Sequence, residues 1–176
     1  MAKPADLHVD VTLDSDNPLQ FRVEPRGAFP TGPNGELIFQ NDYHPGFKVV
    51  FHLKDPNGLG YRFPPHQKNN EGLWSELGNG ACPTQAKWDV FKPQKVSEPD
   101  GMRLTALNPN PSPAQGPFGY TLRVTKDAGA TYLALDPGGV NQNGPQQQRM
   151  SAAVVFVAGA VVGSLATLGT QALLGA

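Results

Sequence analysis

The sequence predicts an all-β fold: an antiparallel β-sandwich over residues 1–135, a linker over 136–149 and one C-terminal transmembrane helix over 150–176. Three observations predict it. Short runs of alternating apolar and polar residues recur through roughly the first 145 positions, the two-residue period of half-buried strands. Clusters drawn from 20 glycines and 18 prolines separate these runs, and helical periodicity is almost lacking before residue 150. Charge then stops. The 14 basic and 15 acidic side chains all lie between Lys3 and Arg149, and the 27 residues that follow carry none.

Taken in order, Leu7, Val9, Val11 and Leu13 alternate with His8, Asp10 and Thr12, and Phe21 and Val23 continue in a shorter run. Glu36–Phe39 is a third candidate strand. Phe47, Val49, Phe51 and Leu53 give the clearest pattern, with Lys48, His52 and Lys54 on the other face. Tyr61–Phe63, Trp88–Val90, Met102–Ala106, Tyr120–Thr125 and Thr131–Leu135 complete about nine strands, spaced as in an antiparallel sandwich or barrel. Pro33-Asn34-Gly35 and Pro56-Asn57-Gly58 each stand before an apolar run, where Asn-Gly supplies the positive φ of a tight turn. Pro109, Pro111, Pro113 and Pro117 mark a loop, since proline donates no ladder hydrogen bond. Asp136–Pro145 with Gln146–Gln148 reads as the linker. The plan resembles immunoglobulin-like sandwiches in strand count and length, without the Cys…Trp…Cys spacing of true immunoglobulin domains.

Composition excludes several functions. A net charge of −1 does not fit a nucleic-acid partner, because each phosphate contact requires a Lys or Arg. The lone Cys82 rules out an intrachain disulfide framework. His8, His44, His52 and His66 include no pair at i,i+2 or i,i+4 spacing that would seat two metal ligands on one element. No histidine follows Cys82, which removes a blue-copper ligand set. Cys82 has no adjacent base to activate it as a nucleophile. Asp14-Ser-Asp16-Asn17 begins like a calcium loop but lacks the glycine and the closing acid, with Pro25 at the twelfth position. The Asp136-Pro-Gly-Gly loop has no lysine and is no phosphate cradle. No metal site, cofactor or catalytic set is therefore expected.

One constellation stands out in the soluble part. Tyr61, Phe63, Trp74, Trp88 and Phe91 lie close in sequence with Gln67, Asn69, Asn70 and Glu71 between them. Exposed rings beside amides and carboxylates suit a glycan or peptide, so Tyr61, Phe63, Trp74 and Trp88 are candidate ligand or partner residues. The competing expectation is that these rings are core.

Residues 150–176 as a helix would be roughly 40 Å long, enough for a hydrocarbon layer of about 30 Å. Gly159 and Gly163 are four apart and share a helix face that Thr167 and Thr170 extend. Small residues and hydroxyls are what hold helices together in lipid, so these four are candidate helix–helix contacts. Arg149 precedes the span and no positive charge follows it, which places the domain on the cytoplasmic side. The start, MAKPADLHVDVTL, lacks the apolar stretch of a secretory signal. The partners expected are the bilayer and other transmembrane helices, in a homo- or hetero-oligomeric complex. The expected role is an accessory or scaffolding subunit rather than an enzyme. A tethered ligand-binding module is the alternative, and an enzyme whose site residues converge from separate loops is a third reading.

Overall fold

Leu7, Val9, Val11 and Leu13 do share one face of a strand, and that face is buried. In the computed structural model, which describes residues 4–32, 36–40, 46–78, 81–97, 100–110 and 116–142, ten strands form two sheets. They are β1 (Ala5–Asp16), β2 (Leu19–Pro25), β3 (Leu37–Gln40), β4 (Phe47–Lys54) and β5 (Leu73–Leu77). After them come β6 (Lys92–Val96), β7 (Arg103–Asn108), β8 (Gly116–Val124), β9 (Leu133–Leu135) and β10 (Gly138–Gln142). A short 3₁₀ helix (His66–Gly72) precedes β5. The first sheet runs β2-β1-β4-β7-β6; the second runs β3-β10-β8-β5, with β9 also on β8. The all-β expectation holds.

Two pairings are parallel rather than antiparallel: β1 with β4, and β3 with β10. The segment expected as a linker from residue 136 instead begins with a strand. β10 lies between β3 and β8, and β9 and β10 follow the same register along β8, interrupted only at Asp136-Pro137. β10 holds one strongly apolar residue, Val140, which leaves almost no alternation to read, so backbone pairing fixes the strand. Gly139 is required there, because a Cβ would run into the Phe118 ring. Tyr61–Phe63 and Trp88–Val90 do not form strands of their own; each contributes one bridge, Arg62 to Thr125 and Trp88 to Ser75. Three strands went unforeseen: β5, β10 and β6. The last holds Pro93 on a sheet edge, where its missing N–H is harmless. Gly116 and Pro117, expected in a loop, open β8.

The sheets face one another across a single core. Phe91 sits at its centre, with ring centroids 5.8 Å from Phe39, 5.8 Å from Phe51, 5.5 Å from Phe118 and 5.3 Å from Tyr120. The approach is edge-to-face throughout, the arrangement the ring quadrupole favours. Burial of each such ring contributes roughly 1.5–3 kcal/mol. The Asp55–Gly58 turn forms as its Asn-Gly predicts, with Gly58 at φ +66° and its N–H donating to the Asp55 carbonyl at 3.2 Å. The Pro33–Gly35 turn, the C-terminal helix and Gly159, Gly163, Thr167 and Thr170 lie outside the described residues. Among the described residues no helix is long and apolar enough to cross a membrane.

Candidate functional site

Alternation along β5 and β8 turns Leu73, Leu122 and Val124 inward, so Trp74 and Arg123 stand on the outer face of the second sheet. The register pairs Trp74 with Thr121, which leaves Arg123 as its diagonal cross-strand neighbour. The Arg123 guanidinium lies 3.8 Å from the Trp74 ring centroid and 4.0 Å from that of Tyr132. One cation is thus stacked between two aromatic faces, an attraction of about 0.5–2 kcal/mol per ring depending on desolvation. Arg123 Nη1 donates to the Glu71 carbonyl at 3.3 Å, and the Tyr132 hydroxyl donates to Glu71 Oε2 at 2.5 Å. Burial, then that bond, pushes the Tyr132 phenol up to about 12. The indole N–H of Trp74 is buried and has no hydrogen-bond partner among the described residues. Trp74 is therefore occupied by Arg123 rather than offered to a ligand.

Trp88 behaves differently. It is 38% exposed, and its N–H is shared between the carbonyls of Asn70 and Leu73, each at 3.0 Å. With Asn70, Lys92 and Pro93 it lines an open depression of about 340 Å³. The ring is fixed by its nitrogen while part of it stays exposed, beside an amide and an ammonium. Tyr61 is half-buried on another edge: its hydroxyl donates to Asp16 Oδ2 at 3.2 Å, and Lys126 Nζ lies 4.4 Å over its ring while pairing with Asp16 at 3.0 Å. Burial and the Asp16 bond raise the Tyr61 phenol. Phe63, proposed as a surface residue, belongs to the core at 2% exposure. Its neighbours explain the misplacement, since Arg62 pairs with Thr125 and Phe63 N–H donates to Gly101, turning the ring inward. The four aromatic candidates therefore have four different surroundings, and Trp88 alone combines exposure with a depression.

Two further groups escaped the reading of the chain. His8 Nδ1 and His52 Nε2 lie 2.8 Å apart on the outer face of the first sheet. The parallel register pairs His8 with Val50, which brings His52 onto the diagonal; only the β1–β4 pairing could have revealed it. Burial, then Arg26 and His8, lowers the His52 pKa. Beside the pair, Asp10 holds Arg26 and Lys54, each at 2.7 Å, and the Arg26 bond in particular lowers its carboxyl. Cys82 is half-buried, donates to the Pro137 carbonyl at 3.5 Å and has its thiol pushed up to about 11 by burial and Asp136, the reverse of an activated nucleophile. Among the described residues no group of three His, Cys, Asp or Glu could hold a metal ion. The chain matches no protein-family model and no curated protein.

Proposed function

We propose that this is a single-pass, C-terminally anchored membrane protein whose immunoglobulin-like β-sandwich serves as an accessory or scaffolding subunit of a membrane assembly. The observation that carries the reading is the uncharged stretch of residues 150–176, which begins eight residues after Gln142, the end of the last strand among the described residues. A hydrophobic run of this length without charge is what a bilayer-crossing helix requires. Arg149 on its flank favours a cytoplasmic domain. Gly159, Gly163, Thr167 and Thr170 supply a face for a neighbouring helix. Deleting 150–176 is expected to turn a protein that needs detergent into one that does not. A full-length chain that stays in solution without detergent overturns the reading. Replacing Gly159 and Gly163 with leucine is expected to abolish assembly while insertion persists; unchanged assembly shows that this face meets lipid.

The exposed Trp88 and its depression favour a second reading, a tethered module that stacks a sugar ring or a peptide side chain on Trp88 beside Asn70 and Lys92. Trp88→Ala is expected to remove binding in a glycan- or peptide-array screen with the fold intact. Trp74→Ala is expected to lower stability instead. A screen in which the wild-type chain binds nothing removes this reading.

A further inference from the structure

Of the strands that end a sheet, β2 is the most open. It pairs with β1 and, among the described residues, with no strand on its other side. The other edges are short, interrupted or covered. β3 and β9 have four and three residues, and β6 carries Pro93 and a register shift. The outer edge of β5 is taken by Lys87–Asp89, whose backbone bonds both the N–H and the C=O of Ser75. An open edge is a template for a further strand, because its N–H and C=O groups have no ladder partner.

The register shows which groups face that edge. Arg26 N–H donates to the His8 carbonyl at 2.8 Å, and the same register continues through Glu24 with Asp10 and Arg22 with Thr12. Bonded and non-bonded pairs alternate along an antiparallel ladder. The N–H and C=O groups of Phe21 and Val23, and the carbonyl of Pro25, therefore point outward. Side chains alternate as well. Phe21, Val23 and Pro25 are half-buried on the core side, whereas Arg22, Glu24 and Arg26 are exposed on the other face. Arg22 is paired with Asp14 and Arg26 with Asp10. Glu24 makes no ion pair among the described residues.

We infer that β2 is the contact of a two-fold dimer, in which it pairs antiparallel with β2 of a second copy of this chain. This goes beyond the membrane-anchored reading and does not depend on it. Charge selects both the occupant and the register. A two-fold axis through Val23, perpendicular to the sheet, sets Arg22 opposite the partner's Glu24 and Glu24 opposite the partner's Arg22. Unlike charges directly opposite one another stabilise a strand pair, and like charges destabilise it. The two Val23 residues then exchange both backbone bonds, and each Phe21 N–H donates to the partner's Pro25 carbonyl. On the core side, Val23 meets the partner's Val23 and Phe21 meets the partner's Pro25, covering apolar surface that is half-exposed in the single chain. Other registers fail. With the axis at Arg22 or at Glu24, that residue faces its own copy. At Pro25 the axis faces two residues without an N–H, and at Phe21 it sets Glu24 opposite Pro18, outside the strand. The register through Val23 is self-complementary, as a two-fold contact must be.

The test follows backbone amide exchange in the full-length chain in mild detergent, which reads the β2 edge whatever residues 150–176 do. The amides of Phe21 and Val23 are expected to exchange at least several-fold more slowly than exposed loop amides. Arg22→Glu alone and Glu24→Arg alone each oppose like charges across the axis, and each is expected to lose that protection. An equal mixture of the two variants opposes acid to base at both positions and is expected to restore it. The amides at 22 and 24 face β1, so their continued protection shows that the strand stays in place. Should an acid at 22, beside Asp14, loosen the strand, Val23→Pro serves instead. It removes only an outward N–H, where an edge strand tolerates proline, and is expected to free the Phe21 amide. Phe21 and Val23 amides that exchange like loop amides in the unmodified chain overturn the dimer. Protection that survives both charge reversals and Val23→Pro overturns it too, because something other than a second β2 then covers the edge. Loss in each variant without recovery in the mixture overturns the register through Val23.

Discussion

The outer faces of the two sheets are built on opposite plans. On the first sheet the strands β1, β2 and β4 expose a grid of ion pairs: Asp14 with Arg22 at 3.0 Å, Asp6 with Lys48 at 3.0 Å, and Asp10 between Arg26 and Lys54. Apart from Asp10, which is 15% exposed, these charged groups are about a third or more exposed, and such pairs contribute about 0–1 kcal/mol each. On the second sheet the outer face is covered. Arg123 is stacked between Trp74 and Tyr132, and the Thr121 hydroxyl donates to Asp136 Oδ1 at 2.7 Å. The chain at Ala81–Cys82 crosses so close above Gly119 that no Cβ fits between them. A solvated face tolerates substitution and is weakly held. A covered face is held by packing and fails when packing is disturbed.

The sharpest way to break this contrast is Gly119→Ala, which forces a methyl against the Ala81 backbone and is expected to cost about 3 kcal/mol in chemical denaturation. A loss no larger than that of a surface substitution would show that the crossing segment is free to lift. Arg123→Ala comes next: losing both stacked rings is expected to cost about 1–2 kcal/mol, and Arg123→Lys should recover only part of it because the planar overlap is gone. If Arg123→Ala is neutral, the second face is held without its cation.

On the first face the expected effects are smaller. The folded pKa of His52 lies below its ordinary value, so the unfolded chain takes up the proton more readily than the folded one. Its contribution is therefore fully present above pH ~6.5 and is lost as pH falls through the lowered folded value. Stability measured from pH 7 to 5 should decline, and His52→Gln should flatten that decline; an identical slope in the variant would discount the histidine pair. The smallest effect belongs to Asp14→Asn, where both partners are well exposed. It should cost no more than about 0.5 kcal/mol and vanish in molar salt.

This same contrast governs what the amino-acid order reveals. β1 and β4 were legible because one face of each is in the core and the other in water, so the alternation is clean in Leu7–Leu13 and Phe47–Leu53. β5, with Trp74 under a cation and Ser75 buried to accept the Val90 and Phe91 N–H groups, mixes polar and apolar residues on both faces and hides its period. β6 presents one buried side chain, Val96, and β10 presents glycines; both owe their place to neighbours rather than to local pattern. Tyr61, Trp74 and Trp88 could be found as aromatic residues, but not sorted. Whether a ring is stacked, committed by its nitrogen or free depends on Arg123, Asn70 and Lys126, which pairing brings from elsewhere in the chain. The partnership of His8 with His52 hangs on a single register.

The position of β10 also sets how the domain meets force. It is the last strand described, yet it sits inside its sheet, bonded to β3 on one side and β8 on the other. Tension on the chain beyond Gln142, directed along the strand, loads both ladders lengthwise, so their hydrogen bonds resist as a group rather than opening one after another like a zipper. A C-terminal strand on a sheet edge would peel. Inserted between two partners it acts as a cleat, passing any tug from the tail into the middle of the second sheet and, through Phe39 and Phe118, into the aromatic interior.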